Sequence, residues 1–461
     1  MNNETNGQAI QEPSRRIPVI DEVDVLVVGG GPAGVCAAVA ASQAGMKTLL
    51  IERYGFLGGM WTAGLVLTLA GFNSWLRPYH RCVNGIAGDW LRRAAAIGSA
   101  EDNASWALNT EPEGMKLVAD AMLEEAGVQC LLHTWYAMPI LDGKKIKGGF
   151  IENVDGRSVI LAKMTIDCTG NGDIIARSGA SWVKGRTLQP MTMPFRIGGV
   201  SLDPSIDHRK PVQIPIGPEP ILLQEPLLSE YAPRRHDVTW DQEGMRDAKQ
   251  RGEIPLFGGP WFGGLDKDIV WVNATRIIGD ASKASEFTRA EIEGRKNVFT
   301  LMSYFREHLK GFEHARLLQT SPQIGVRETR RLIGLYTLTG SDVREARRFD
   351  DSIGVGCWPI DIHPVHDVGV HELYVPLPFG IPYRCLVPHD VGNLLTAGRC
   401  ISVDREAQSS IRVGATCAVT GHAAGAVAAT AIRRKVQPCD IDKRRLRDLL
   451  TSQNAIIDPP G

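Results

Sequence analysis

Residues 24–53 read DVLVVGGGPAGVCAAVAASQAGMKTLLIER, and no other stretch limits the fold so tightly. A continuous apolar run, Val25–Val28, ends at Gly29-Gly30-Gly31-Pro32-Ala33-Gly34. An alanine-rich stretch follows to Gly45, and a second apolar run, Thr48–Ile51, ends at Glu52. Strand, glycine turn, helix and parallel strand are the expected reading. Each glycine of the G-x-G-x-x-G pattern has its own task. Gly29 permits the turn, Gly31 lets a diphosphate approach the backbone, and Gly34 lets the helix pack close to the strand. Pro32 and Ala33 stand at the helix N-terminus, where free N–H groups and the dipole favour the negative diphosphate. Glu52 is placed to accept hydrogen bonds from an adenosine ribose, about twenty residues on, as the dinucleotide fingerprint requires. Its neighbour Arg53 either reaches the adenosine face or stays in solvent.

Two later segments decide which dinucleotide is meant. MTIDCTGNGD (164–173) is a strand ending in Thr169-Gly170. NLLTAGRCISVDR (393–405) is a strand ending in Gly398-Arg399, followed by a long helical stretch from about Arg412 to Arg433. Together with GFLGGMWTAG (55–64), GVRETRRLIGLYTLTGSDV (325–343), WPIDIH (358–363) and the glycine- and alanine-rich end at 398–429, this set resembles the FAD-dependent oxidoreductases with a glutathione-reductase type of FAD domain. The resemblance covers residues 20–435. It implies FAD as cofactor and says almost nothing of substrate. It also implies that Gly58-Gly59 passes under the flavin pyrophosphate and that Asp173 lies near the cofactor; Asp173 is equally a candidate N-cap. In the resembling fold the helix after Arg412 and Val413 points its N-terminus at the flavin pyrimidine ring, and Arg399 orients this loop.

The chain has 461 residues, 51 basic and 52 acidic, for a net charge of −1. That balance lacks the basic footprint of a nucleic-acid binder. Nine cysteines without a C-x-x-C pair argue against a disulfide scaffold, a zinc site and a redox-dithiol flavoenzyme. No metal site is expected. The first residues are polar and lack the apolar core of a secretory signal, and no segment has the uninterrupted apolar length of a membrane span. A cytoplasmic enzyme that binds no membrane is the expectation, with homo-oligomerisation left open.

Patterning predicts an α/β fold: a Rossmann-like FAD-binding domain, a parallel sheet with a small antiparallel layer, plus an inserted α+β substrate-binding domain. A helix is expected over 111–126, stopped at Gly127. Short strands follow at Val128–Leu132, Tyr136–Leu141, Ile146–Glu152, Val159–Leu161 and Met164–Cys168. Beyond Gly185 the chain turns proline-rich, then reads as a helix over Ala281–Lys310 and a strand over Leu332–Leu338. Residues 1–19 read as a disordered tail, 20–184 with 385–461 as a discontinuous FAD domain, and 185–384 as the substrate domain, with 75–110 as a further contributor.

Three constellations can carry chemistry. WPIDIHPVHDVGVHE gathers Asp361, His363, His366 and His371 without a helical metal-binding frame. Oxidising a C–H beside a hydroxyl or amine needs a base, and histidine suits neutral pH, so His363 with Asp361 as its orienter is the first candidate. VRETRR offers Arg327 to a carboxylate or oxyanion, with Arg330 paired to an acid. PFGIPYRCLVP offers Tyr383 and Arg384 at the return to the FAD domain. For each the alternative is structural: a packed histidine, a solvated charge cluster, a satisfied tyrosine. The expected activity is oxidation of a small polar organic molecule, with hydride passing to flavin N5 and electrons to dioxygen or another acceptor. The alternative is reduction of an activated C=C bond. GNGDII (170–175) and GGPWFGG (258–264) fail as second fingerprints, so no NADPH domain is expected.

Overall fold

The structure is a computed structural model that describes residues 9–76, 78–201, 213–216, 219–222, 242–266, 268–365 and 372–460. The first strand, β1 (Val19–Val28), is buried on both faces over Val25–Val28, as a central strand of a covered parallel sheet must be. Helix α1 (Pro32–Gln43) starts on a proline at its first turn, buries every residue from Pro32 to Ala41, and ends before Gly45 at φ +78°. Strand β2 (Thr48–Ile51) returns parallel to β1, with Val25 opposite Thr48. The helix expected at 111–126 spans Pro112–Glu125. It buries Met115, Val118, Ala119, Met122 and Leu123, and Gly127 follows at φ +70°.

Strands β3 (Gln129–Leu131), β4 (Trp135–Asp142), β5 (Lys145–Asn153) and β6 (Gly156–Asp167) complete most of one sheet of order β3-β2-β1-β6-β5-β4. The β1, β2, β3 and β6 pairings are parallel, and β4-β5-β6 is the antiparallel layer. Two strands were expected over 159–168, but β6 is continuous, because no turn residue interrupts Leu161-Ala162-Lys163. Its first half pairs with β5. Its last three residues pair in parallel with the C-terminal strand Leu394–Thr396. The tips of β1, β2 and β6, and of that C-terminal strand, thus meet at one sheet edge, where open α/β sheets bind ligands.

A second core is drawn from residues 191–326. It is an antiparallel four-stranded sheet of β8-β9-β7-β10, made of β7 (Phe195–Gly198), β8 (Phe257–Gly263), β9 (Ile269–Thr275) and β10 (Arg316–Thr320). Helix α2 (Ala284–His308) covers it with Ala290, Val298, Leu301, Met302 and Phe305. Leu338, Val343, Ile353, Phe379 and Ile381 pack instead in the core that holds α1. The strand expected over Leu332–Leu338 shrinks to Arg331–Leu332, because the backbone N–H groups of Leu332, Leu335 and Leu338 donate to loops, at Cys400, Val387 and Ser402.

The C-terminal helical stretch is broken in two. Helix α3 (Arg405–Ile411) is capped by the Asp404 side chain, Val413 is extended, and α4 (Gly414–Arg434) begins after it. Helix α4 is long and apolar enough to cross a bilayer, yet most of its apolar stretch is buried. It lies on α1 at very short range. A Cβ at Gly421 would stand 1.9 Å from the Ala33 carbonyl oxygen, and one at Gly425 would stand 2.3 Å from that of Ala37.

Candidate active site

The cofactor cradle is made mostly of backbone. Gly29 has φ +105° and its N–H donates to Ile51 O at 2.9 Å, tying the tip of β1 to that of β2. A Cβ on Gly34 would fall 1.7 Å from the Gly29 carbonyl, so only glycine lets α1 start here. Gly31 differs: a Cβ there would meet only Gly59 Cα, at 3.7 Å. That position faces open space, as a diphosphate path must. Gly59 crosses directly beneath, with Gly58 N donating to Gly30 O at 2.8 Å. Glu52 is buried; its carboxylate accepts from Gly30 N at 2.5 Å and Tyr54 N at 3.0 Å. The acid therefore fastens the glycine turn, besides facing the region where a ribose is expected. Arg53 is half-buried, held over the rings of Tyr54 and Trp135 and bonded to Gln323.

At the tip of β6 the organising group is Asp167, which sequence reasoning did not single out. Its carboxylate is fully buried and accepts from Thr169 N, Thr169 Oγ1, Ile174 N and Ile175 N at 2.7–3.0 Å. Burial pushes its pKa up against these four donors. Through them it shapes the Thr169-Gly170 turn and caps the helix Asp173–Ser178. Asp173 is not the N-cap: Gly172 occupies that position in a left-handed conformation, and Asp173 pairs with Arg330 at 3.1 Å. Gly398 donates to Thr420 Oγ1 at 2.8 Å, and Arg399 donates to Asn171 while lying against Gly170.

These residues fit FAD. Arg399 Nε, Arg412 Nε and Thr416 Oγ1 are buried without a hydrogen-bond partner among the described residues. All three lie on segments bordering the turn and the N-terminus of α4. Buried polar atoms left unpaired are costly, and a polar dinucleotide supplies acceptors for them.

Beside Arg412 lies a buried polar cluster from five separated segments. Asp361 and His363 stand on and just after the short strand Ile360–Ile362. Asp361 N donates to Ser409 Oγ of α3 at 3.1 Å, and His363 N donates to Gln189 Oε1 at 3.2 Å. Gln189 Nε2 donates to Gln408 Oε1 at 3.1 Å, and Gln408 Nε2 to Arg327 O at 2.7 Å. Arg276, just after β9, places Nη2 2.7 Å from His363 Nδ1. A guanidinium only donates, so Nδ1 accepts and the ring proton lies on Nε2, 3.2 Å from Asp361 Oδ2. Arg412 Nη2 donates to the same oxygen at 2.9 Å. Arg327 Nη1 donates to Pro190 O at 2.6 Å and Thr192 Oγ1 at 2.5 Å, both neutral.

The electrostatics follow from burial. Desolvation, with nearby Arg327 and Arg276, holds the His363 pKa well below the usual value, so the imidazole is neutral at pH 7. Desolvation and the neighbouring Arg412 lower Arg276 to about 10, and Arg327 is lowered further by burial beside two other guanidinia. Trp261 borders Arg276 and His363: its ring centre is 5.7 Å from the Arg276 guanidinium and it meets His363 edge-on at 6.3 Å. Gly258 is required beneath it, since a Cβ there would strike the Arg276 guanidinium at 2.0 Å.

Of the sequence candidates, His363, Asp361, Arg327 and Arg412 come together. Tyr383 and Arg384 do not join them. The Tyr383 hydroxyl donates to Cys439 O at 3.2 Å, and Arg384 is ion-paired to buried Asp351 at 2.8 Å, so both are spoken for structurally. His366 and His371 lie outside the described residues. Arg276, Gln189, Gln408 and Trp261 were missed. The GGPWFGG stretch was noticed only as a failed fingerprint, although its glycines beside a tryptophan were the available signal.

Among known proteins, a dihydrolipoyl dehydrogenase of Trypanosoma brucei brucei is 51% identical over 45 residues, 10% of this chain and 9% of that protein. A thiamine thiazole synthase of Methanococcoides burtonii is 30% identical over 191 residues, 39% of this chain and 68% of that protein. The chain spans 9% and 20% of the length of the first two curated relatives it matches. A solved geranylgeranyl bacteriochlorophyll reductase-like protein from Thermoplasma acidophilum aligns over 94% of this chain and 84% of its own, at 14% identity and TM-score 0.46. A flavin-dependent brominase aligns over the same shares at 12% identity and TM-score 0.47. The family model for FAD dependent oxidoreductases matches residues 24–450. With the glycine cradle, the acid at β2 and a match along nearly its whole length, the chain belongs to the FAD-dependent oxidoreductase family.

Proposed function

We propose that the chain oxidises a small polar organic substrate at a C–H beside a hydroxyl or amine, with dioxygen or another acceptor taking the electrons. Residues 20–184 and 385–461 supply the cofactor side, and 185–384 supply the substrate side. When bound, FAD supplies a hydride acceptor at N5. The observation that carries the reading is a neutral, buried His363 held between Arg276 and Asp361 beside the start of α4.

Asp361 orients the imidazole through Nε2–H, which leaves Nδ1 as the basic atom. That lone pair is held by Arg276. It takes the substrate O–H or N–H proton once Arg276 turns to another acceptor. Arg412, beside the N-terminus of α4, adds positive charge where the reduced cofactor is negative.

Reduction of an activated C=C bond remains the second reading, favoured by one observation. Burial beside two guanidinia depresses the pKa of Arg327, which makes it the proton donor in that direction. Anaerobic rapid mixing with alcohols, amines and activated alkenes tests both. Flavin bleaching by an alcohol or amine, lost in His363→Ala and kept at saturating substrate in Arg327→Met, supports oxidation. The opposite pattern, with reoxidation by an alkene, supports reduction.

A further inference from the structure

The cluster is richer in positive charge than its own acids explain. Arg276, Arg327 and Arg412 converge on it, and Asp361 pairs with Arg412. Among the described residues neither Arg276 nor Arg327 has a carboxylate within ion-pair distance. Among the described residues, Arg276 bonds the neutral His363 and, at 3.5 Å, Thr192 Oγ1, and the Arg327 guanidinium bonds Pro190 O and Thr192 Oγ1. Both side chains lie in residues less than a tenth exposed. Stripping water from a guanidinium costs several kcal/mol unless an anion or a full set of acceptors replaces it. Two such groups side by side also repel one another. The remedy is an anion that belongs to neither chain segment, and guanidinium pairs receive carboxylates in bidentate geometry.

We propose that the substrate is an organic carboxylate whose carboxyl group is received by Arg276 and Arg327, with the half-exposed Trp261 indole lying along its carbon body. This rests on the oxidoreductase reading of the same site and names the substrate class. Trp261 is 39% exposed and its ring centre lies 5.7 Å from the Arg276 guanidinium, so the indole borders the carbon body of a group held there. The carboxylate draws the Arg276 guanidinium from His363 Nδ1, and the base is released only when an anion is present. Arg276 is thus a binding residue that also positions the proton acceptor. No redox step is added: hydride leaves the carbon beside the hydroxyl or amine, and the heteroatom proton goes to His363.

Two pairs of probes, benzoate with benzamide and acetate with acetamide, differ in charge at nearly constant shape. Titration calorimetry on the FAD-loaded enzyme reads their binding without turnover. Each carboxylate is expected to bind roughly tenfold or more tightly than its amide, as a charge-assisted pair requires. Benzoate is expected to exceed acetate, and Trp261→Ala to remove that margin. Arg276→Met and Arg327→Met should each erase the charge preference while FAD content stays unchanged. Arg276→Lys should keep part of it. Equal binding of acid and amide, absence of binding, or a charge preference unaltered in both methionine variants overturns the proposal. The unmodified enzyme carries the first comparison, so a variant that fails to fold leaves the test intact. If carboxylates bind as expected and no hydroxy or amino acid reduces the flavin, the activity reading fails alone. If neutral alcohols or amines reduce the flavin and carboxylates do not bind, the substrate class fails alone.

Discussion

The two halves of the site are built in opposite ways. The diphosphate turn of the cradle comes from thirty consecutive residues, 24–53, and works mostly through backbone atoms: Gly29 turns, Gly34 admits the helix, Gly31 leaves room. The buried polar cluster comes from segments near residues 189, 276, 327, 361 and 408, and is held by side chains bonded across those distances. A backbone site must repeat its glycine spacing to exist, so the spacing is visible in one dimension. A side-chain site needs only that the fold bring five segments together, and no local pattern records it.

The sharpest way to break this contrast is to substitute the glycines separately. Gly34→Ala places a Cβ 1.7 Å from a carbonyl oxygen, so the start of α1 must shift. A loss of about 3 kcal/mol, the upper end for overpacking, is expected, together with loss of bound FAD. Gly31→Val meets little protein, so the melting temperature of the FAD-free protein should stay within a few degrees of the parent while FAD no longer co-purifies. If both variants lose stability alike, Gly31 serves packing and the cradle is not a ligand path.

The same contrast predicts a purely chemical defect in the other half. His363→Ala should slow flavin reduction by substrate roughly a hundred- to ten-thousand-fold, as loss of a general base does, with FAD content and spectrum unchanged. Stopped-flow traces at fixed substrate decide it. A rate within threefold of the parent removes His363 from proton transfer and leaves it as part of the scaffold.

Much of the first half was legible and little of the second, for physical reasons. Continuous apolar runs and alanine-rich texture give the period and burial of β1, α1 and β2 directly. Asp167 escaped notice because an acid at the end of an apolar strand looks like a surface residue, whereas four donors gather round it. Tyr383 and Arg384 drew attention as polar residues at an expected domain junction. Their partners, Cys439 and Asp351, sit 56 and 33 residues away, where sequence spacing carries no information. His363 and Arg327 stand out in the sequence by chemistry alone, and the cluster that gives them context requires Arg276, for which the sequence carries no signal.

Two buried histidines sharpen the comparison by pH. His422 in α4 bonds Gln453 at 2.8 Å and has no charged partner among the described residues, and burial lowers its pKa to about 4. The unfolded chain binds that proton near pH 6.5. Stability contributed by the neutral ring is therefore complete above pH 6.5 and is lost as pH falls toward 4, about 3 kcal/mol in all. His363, also lowered, acts in the same direction. Denaturant unfolding at pH 7 and pH 4.5 measures the slope. His422→Gln should remove about half of the histidine contribution to that slope and leave the pH profile of flavin reduction alone, whereas His363→Ala should remove the other half and alter that profile.

The smallest effect is expected at Glu52, where the two kinds of construction meet: a side chain that holds backbone. Its carboxylate accepts from Gly30 and Tyr54 inside the glycine turn, so it cannot be removed without disturbing the cradle. The sequence alone predicts that Glu52→Ala weakens FAD retention and leaves the fold untouched. The hydrogen bonds predict that both fall together, because the Gly30 amide loses its charged acceptor. A combined loss of roughly 2 kcal/mol is expected for bonds to a charged group, seen as weaker FAD binding and a lower midpoint in the FAD-free protein. Glu52→Gln keeps one acceptor oxygen and should recover part of both. If FAD affinity falls while the FAD-free midpoint is unchanged, the carboxylate serves the ribose alone. The cradle would then be a backbone structure that needs no side chain to hold it.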